Sequence, residues 1–61
     1  MQVGKVYNTQ RYGLVVIKSM EPKGFHGGVP YFKVYMVILD HGRETDGTYT
    51  ERDWKRACKP L

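Results

Sequence analysis

The order of apolar and polar side chains predicts short β-strands over most of the chain. Residues 3–8 form a short segment in which Val6 and Tyr7 follow a glycine, and we interpret it as an edge strand. Residues 12–20 are richer in β-branched side chains, and apolar side chains fall on both faces of this segment. A strand that is apolar on both faces bends from one layer of a sheet into another, as in a small barrel.

The most regular strand pattern covers residues 31–39, which contain no glycine, proline or acidic side chain before position 40. Alternate side chains of a strand point to opposite faces. The face that we expect in the core carries Phe32, Val34, Met36 and Ile38, and the opposite face carries Tyr31, Lys33, Tyr35, Val37 and Leu39. The ten residues before this strand, 21–30, include two prolines and three glycines, which predicts a loop.

Turn and capping residues dominate the last third of the chain. Asp40-His41-Gly42 places a glycine where a tight turn requires positive φ and predicts a hairpin, and Asp46-Gly47 predicts a second turn soon afterwards. Thr50, followed by Asp53 three residues later, predicts the cap of one helical turn. Residues 54–58 are then predicted to form a last short strand or a helical tail.

These elements predict one all-β domain over residues 1–61. We expect a small SH3-like barrel of four to five bent antiparallel strands, with one short helical turn near the C-terminus. A chain of this length buries only about 60% of its unfolded surface, so we expect a thin core and no deep substrate pocket. One cysteine and two histidines supply neither a disulfide nor a zinc site. Packing must therefore stabilise the fold, with help from a partner or a second copy of the chain.

No residue has the neighbours that catalysis requires. Cys58 has basic neighbours that lower a thiol pKa but no base to activate it, and we favour a role as a small buried hydrophobic residue. The glycines of residues 24–28 are not followed by the Gly-Lys-Ser/Thr of a phosphate-binding loop. Asp40 and His41 lie at a predicted hairpin tip, where an acid–base pair would be fully solvated. We therefore expect a non-enzymatic protein without metal or cofactor.

The composition favours an anionic partner. Ten Lys and Arg residues against six Asp and Glu residues give a formal net charge of +4. This charge suits nucleic acids and acidic protein surfaces, and solubility alone explains it equally well. No segment has the apolar length of a signal peptide or a membrane span, so we expect no membrane partner. The lone cysteine agrees with a reducing compartment, and we expect a cytoplasmic protein.

Two groups of side chains are candidates for a binding surface. The first is Tyr31, Lys33 and Tyr35, which can stack on bases and neutralise phosphates or anchor a protein interface, unless the curvature of the barrel buries one tyrosine. The second group surrounds Trp54 and contains Arg52, Lys55, Arg56 and Lys59. These cations either contact phosphates or form a solvated surface around a core tryptophan. Phe25, at the tip of the predicted loop, either folds back over the barrel or inserts into a partner.

Two segments of the chain are similar to a known group of proteins. Gly4-Lys5-Val6-Tyr7-Asn8-Thr9, with Tyr12-Gly13 and the strand that follows, resembles the opening of small bacteriophage-encoded domains, some of which are found beside homing-type endonuclease modules. The hairpin Val37-Ile38-Leu39-Asp40-His41-Gly42 is similar to a second signature of that family. The resemblance covers residues 3–17 and 34–45. It implies an SH3-like barrel of phage origin that acts in the host bacterial cytoplasm, in a class whose members bind nucleic acid or host proteins.

Two functional hypotheses follow. In the first, the protein is a phage-type accessory protein that binds DNA or RNA through electrostatic attraction and stacking, largely independently of sequence. In the second, it is a protein–protein interaction module that docks on an acidic host protein and inhibits or modulates it. Exposed aromatic side chains and unpaired edge strands suit the second task.

Overall fold

The computed structural model describes all residues 1–61, and most of them lie in β-strands. The elements, in chain order, are β1 (Val6–Thr9), β2 (Gly13–His26), β3 (Val29–Ile38), β4 (Glu44–Thr50), α1 (Glu51–Ala57) and β5 (Cys58–Pro60). The prediction of a small all-β fold with one short helix near the C-terminus is confirmed.

The five strands form one antiparallel sheet in the order β4-β3-β2-β1-β5. The first four strands follow one another as a meander, and α1 then returns the chain so that β5 pairs with β1. This is the strand arrangement of a small SH3-like domain. The prediction that the first strand lies at an edge is wrong, because β5 adds three residues to its free side. The side of β1 that does not face β2 is covered only because the two ends of the chain pair with each other.

The predicted loop over residues 21–30 is instead the distal part of a long β2–β3 hairpin. Pairing continues as far as His26 opposite Val29, and the turn itself is only Gly27 and Gly28, both with positive φ. The hairpin tolerates Pro22 because no third strand pairs with β2 there, and Pro30 because β4 pairs with β3 only from Tyr31 onward. The content of proline and glycine predicted a loop between two strands. In the structure, the prolines restrict only which side of a strand can pair with a neighbouring strand.

The β2–β3 hairpin projects beyond the rest of the sheet. β4 covers β3 only from Tyr31 to Val37, so residues 25–30 form a two-stranded tip. Two register shifts, between Ile17 and Ser19 and between Pro22 and Gly24, bend β2 along its length. The molecule is accordingly elongated, with principal extents of 36 × 18 × 17 Å.

The two predicted turns after β3 have different outcomes. The turn at Asp40-His41-Gly42 is confirmed, with Gly42 at φ 72° and its N–H donated to the carbonyl of Ile38 at 2.7 Å. The second turn, at Asp46-Gly47, is wrong because both residues lie inside β4. Gly47 serves packing instead: a Cβ at this position would lie 2.8 Å from Cε2 of Tyr49. The glycine makes room for an aromatic ring and does not reverse the chain.

The core lies on one face of the sheet beneath α1. Its buried apolar side chains are Tyr7, Val15, Ile17, Val34, Met36, Ile38, Trp54 and Cys58. The core face predicted for β3 is confirmed, with Phe32 half-buried at its end. Val15 and Ile17 supply the core face of β2, whereas Leu14 points outward and is exposed. Apolar burial of this kind is the main favourable term that stabilises the fold.

Trp54 connects α1 to both sides of the sheet. Its ring packs edge to face against Tyr7 of β1 and against Tyr49 of β4, with centroid distances of 5.1 Å in both pairs. The indole N–H is buried and has no hydrogen-bond acceptor in the protein. Ring packing rather than hydrogen bonding therefore holds this side chain.

The predicted helical cap is confirmed. Thr50 Oγ1 accepts a hydrogen bond from the backbone N–H of Asp53 at 3.1 Å, which satisfies one of the free donors of the first turn. At the other end, the N–H of Cys58 is donated to the carbonyl of Trp54 as the chain becomes extended. Both alternatives for residues 54–58 are thus realised in part: residues 54–57 are helical and Cys58 begins a strand.

We expect Gly47→Ala to lower the free energy of unfolding by about 1–3 kcal/mol, because the new Cβ overlaps a ring that is already packed against Trp54. Urea unfolding followed by tryptophan fluorescence measures the loss. In a Tyr49→Ala background the same substitution should cost nothing, since the ring is gone and alanine is less flexible than glycine. An equal loss in both backgrounds would contradict the packing explanation.

Candidate nucleic-acid interface

Helix α1 carries its three cations on one side. Arg52, Lys55 and Arg56 are spaced as i, i+3 and i+4, so they are neighbours on the helix surface. Trp54 occupies the opposite side and is buried against the sheet. All three cations are exposed. The packing of Trp54 therefore determines which side of α1 faces solvent.

The adjoining elements extend this cationic surface. Lys59 lies opposite Asn8 in the β5–β1 pair, and its Nζ donates to the Lys55 carbonyl at 3.4 Å. The backbone N–H of Gln10 donates to the Ala57 carbonyl at 3.2 Å, which attaches the β1–β2 turn to the end of α1. We define the basic surface as Arg11, Arg52, Lys55, Arg56 and Lys59.

Arg11 is the member of the basic surface that sequence reasoning missed. Its guanidinium lies 5.6 Å from the ring centroid of Tyr12, at the turn that contacts the end of α1. Arg11 is more than forty positions away from the other four cations in the chain, so no local charge run indicates its membership. Only the pairing of β5 with β1 brings the turn and the helix together.

A shallow cleft lies within the basic surface. It has a volume of about 180 Å³, and its polar lining includes Asn8, Gln10, Arg56 and Lys59. A neighbouring depression of about 280 Å³ shares Gln10 and Arg56 and adds Asp53. Two cations and two amide side chains at one cleft are donors suited to phosphate or carboxylate oxygens. The cleft is too open to enclose a small molecule, and it fits part of a larger anion.

No ion pair neutralises the basic surface. The three ion pairs of the protein join the Met1 amino group to Glu51, Lys18 to Glu44, and Lys23 to Glu21. The acidic side chains of α1 are Glu51 and Asp53 in its first turn, and the first of these is already paired with the N-terminus. The positive charge of the basic surface is therefore available to an external anion.

The predicted sheet surface of Tyr31, Lys33 and Tyr35 has a different electrostatic character. All three side chains are half-buried on the face opposite the core, as predicted. Glu21 lies opposite Lys33 in β2, and the Tyr35 hydroxyl donates to Glu21 Oε2 at 3.4 Å. Lys33 Nζ lies 5.4 Å from the centroid of the Tyr35 ring, a cation–π contact. These contacts restrain the side chains and offset part of the lysine charge.

The sheet surface carries as many cations as acids, so its charges balance. Its cations and acids are Lys18, Lys23, Lys33, Glu21, Glu44 and Asp46. The structure therefore separates the two predicted surfaces: one is electrostatically mixed, and the other is cationic. Tyr31 is the closest link between them, because it lies opposite Thr50, the residue directly before α1.

Phe25 does not fold back over the core. It lies in β2 next to the hairpin turn, opposite Pro30, and 73% of its surface is exposed. Val29, across the turn, is 48% exposed. The hairpin tip thus presents apolar side chains to solvent, which agrees with the alternative in which Phe25 contacts a partner.

Other candidate chemistry is not assembled in the structure. Cys58 is buried, as predicted, and burial raises the pKa of its thiol, so the nucleophilic thiolate is disfavoured. The structure holds no cluster of three or more His, Cys, Asp or Glu side chains able to bind a metal ion. None of its helices has the length and apolar character that crossing a membrane requires.

No protein-family model matches the chain, and no curated protein or solved structure shows significant similarity to it.

We expect the free energy of unfolding to fall as the pH rises above about 8.5, the ordinary thiol pKa. Burial raises the pKa of the Cys58 thiol. Burial is also the main cause that raises the pKa of the Tyr49 phenol, and the nearby Cys58 is the second cause. The folded state thus holds these protons more tightly than the unfolded chain. Their contribution is complete below the unfolded pKa and is lost as the pH rises through the folded pKa.

Urea unfolding at neutral and alkaline pH measures this loss. The matched variant is Cys58→Ala, for which the change with pH, rather than the absolute stability, is compared with that of the wild type. The variant should lose less stability on going to alkaline pH. Identical pH dependence in the two proteins would show that the thiol proton makes no contribution.

Proposed function

We propose that the protein binds nucleic acid without catalysing a reaction, and that the basic surface contacts the phosphate backbone. The observation that carries the proposal is a group of five exposed cations, none of them in an ion pair, two of which line a cleft with two amide side chains. Phosphate oxygens accept hydrogen bonds from these side-chain types in most protein–DNA contacts.

Binding of this kind is driven by counterion release. Each phosphate that a Lys or Arg neutralises releases condensed cations into solution, so affinity falls as salt rises. Phosphate contacts carry no sequence information, and we therefore propose binding that is largely independent of sequence. A phage origin, implied by the resemblance described above, is part of the same proposal.

The sheet surface has a secondary role in this proposal. Tyr31 lines a depression of about 260 Å³ with His26 and Thr48, next to the start of α1. A single strand that leaves the basic surface in this direction meets Tyr31 first, where a base can stack on its ring. A duplex has no free base to stack, so Tyr31→Ala distinguishes the two ligand forms.

We expect binding to labelled duplex DNA, single-stranded DNA and RNA, measured by fluorescence anisotropy, to weaken steeply with salt. In the double variant Arg56→Gln/Lys59→Gln, the slope of log affinity against log salt should decrease by about 1.8 for a duplex or about 1.4 for a single strand. The matched control is Lys18→Gln/Lys23→Gln, which removes the same net charge at lysines that are already paired. This control should leave the slope nearly unchanged.

Absent binding at low salt, or affinity that does not change with salt, would overturn the proposed function. Equal slope changes in the two double variants would be consistent with nucleic-acid binding but would exclude the basic surface as its site. Net charge alone would then explain the salt dependence.

The exposed hairpin tip favours a second candidate function, docking on a host protein. Phe25 and Val29 are apolar side chains that the domain itself does not bury. Buried aromatic anchors dominate the binding energy of many protein interfaces. In this alternative, the tip inserts into an apolar pocket of the partner, and the partner's acidic rim meets the cations.

For this candidate we expect Phe25→Ala to lose a specific protein that the wild type captures from nuclease-treated host lysate. The substitution should leave nucleic-acid binding unchanged, because Phe25 lies at the far end of the hairpin from β5. Retention of the same captured protein by Phe25→Ala would exclude the tip as the docking site. Leu14→Ala, another exposed apolar position, serves as the control.

A further inference from the structure

The sheet has three stretches of strand edge without a neighbouring strand. They are the outer edge of β4, the outer edge of β5, and the side of β2 that extends past β1. A free edge exposes backbone N–H and C=O groups that pair readily with another chain. Natural sheets block such edges with proline, lysine, bulges or very short strands.

Two of the three edges carry these blocking features. The free side of β2 contains Lys18, Pro22 and Lys23, together with the two register shifts. The strand β5 has only three residues, and two of them are Lys59 and Pro60. Neither edge is suited to pair with a further strand.

The edge of β4 has none of these features, and its only charged side chains are Glu44 and Asp46, a weaker block than lysine. It is seven residues long, contains no proline, lysine or arginine, and pairs with β3 without a register shift. Four of its residues, three threonines and Tyr49, have high β-propensity. Of the three edges, β4 is therefore the one that is open to strand addition.

The order of side chains in β4 selects an antiparallel second copy as the occupant. Its two acids, Glu44 and Asp46, precede Gly47, and Thr48 and Thr50 follow it on the same face. Antiparallel pairing centred on Gly47 places Glu44 opposite the partner's Thr50 and Asp46 opposite the partner's Thr48.

Two other arrangements are less favourable. Centring the pair on Asp46 sets two carboxylates opposite each other, and parallel in-register pairing aligns both acids with their copies. The Gly47-centred register also brings Arg43, which has no ion pair within the protomer, toward the partner's Glu51 at the start of α1, a carboxylate that also pairs with the Met1 amino group. The charges of β4 thus disfavour these two arrangements and permit the Gly47-centred register.

We propose that two copies of the chain associate through β4 in the Gly47-centred antiparallel register, which continues the sheet across a two-fold axis. The association does not depend on the proposed function. The cleft of the basic surface, lined by Arg56 and Lys59, adjoins β5 at the opposite edge of the sheet, so it stays exposed in both protomers. The dimer therefore presents two basic surfaces.

Sedimentation equilibrium over a wide concentration series tests the dimer, and two substitutions at one position test its register. Thr48→Glu places a carboxylate opposite the partner's Asp46 at two symmetry-related sites, and we expect the dimer to weaken about tenfold. Thr48→Lys places a cation at the same sites and should tighten the dimer. The charge swap Asp46→Lys/Thr48→Glu should restore the affinity that Thr48→Glu loses.

Folding of the variants is checked separately by circular dichroism and thermal unfolding. Thr48 is exposed and lies opposite Lys33 of its own β3, so the glutamate variant gains a favourable neighbour within the protomer. A weakened dimer in a fully folded Thr48→Glu protein supports the proposal. A protein that remains monomeric at all concentrations overturns it. A dimer that responds equally to Thr48→Glu and Thr48→Lys also overturns it, because association then uses another surface or register.

Discussion

The ring of Trp54 packs edge to face against Tyr7 and Tyr49, and these two contacts join the helix to strands that lie far apart in the sheet. Because the core contains only eight buried apolar residues, one aromatic cluster of this size accounts for a large part of it. Gly47 belongs to the same cluster, since the absence of its Cβ gives the Tyr49 ring its position. The fold therefore depends on a contact between the two halves of the chain.

The same contact determines the surface chemistry of the domain. With Trp54 directed inward, the i, i+3 and i+4 cations of α1 face solvent, and the return of β5 onto β1 places Lys59 and Arg11 beside them. The sheet surface receives an equal number of cations and acids through cross-strand pairing. Five of the ten cations thus lie on the basic surface, and none of them is in an ion pair. Concentrated charge is what electrostatic attraction of a polyanion requires.

A domain of this size has little interior to hold a ligand, so its surface and edges carry its interactions. The cleft of the basic surface and the free edge of β4 lie at opposite edges of the sheet, which allows both to be occupied at once. Two basic surfaces on one dimer would bind neighbouring sites of one nucleic acid with a raised effective concentration. Association through β4 and binding through the basic surface are therefore compatible, although each rests on its own observations.

Features that depend on neighbours within a few residues could be predicted from the amino-acid sequence. The two-residue alternation of β3 identified its core face, Gly42 identified a turn that needs positive φ, and Thr50 identified a helix cap, because each of these signals acts locally. The four cations between positions 52 and 59 could be predicted as a group for the same reason, because they are close together in the chain.

Features that depend on distant partners in the chain became evident only in the folded domain. The glycines and prolines of residues 21–30 predicted a loop, but pairing with β3 made them a hairpin, and packing of Tyr49 made Gly47 a strand residue. Likewise, β1 became an inner strand only when β5 returned to it. The balance of Lys33 by Glu21 and the addition of Arg11 to the basic surface follow from strand pairing between distant segments, which no local pattern of side chains encodes.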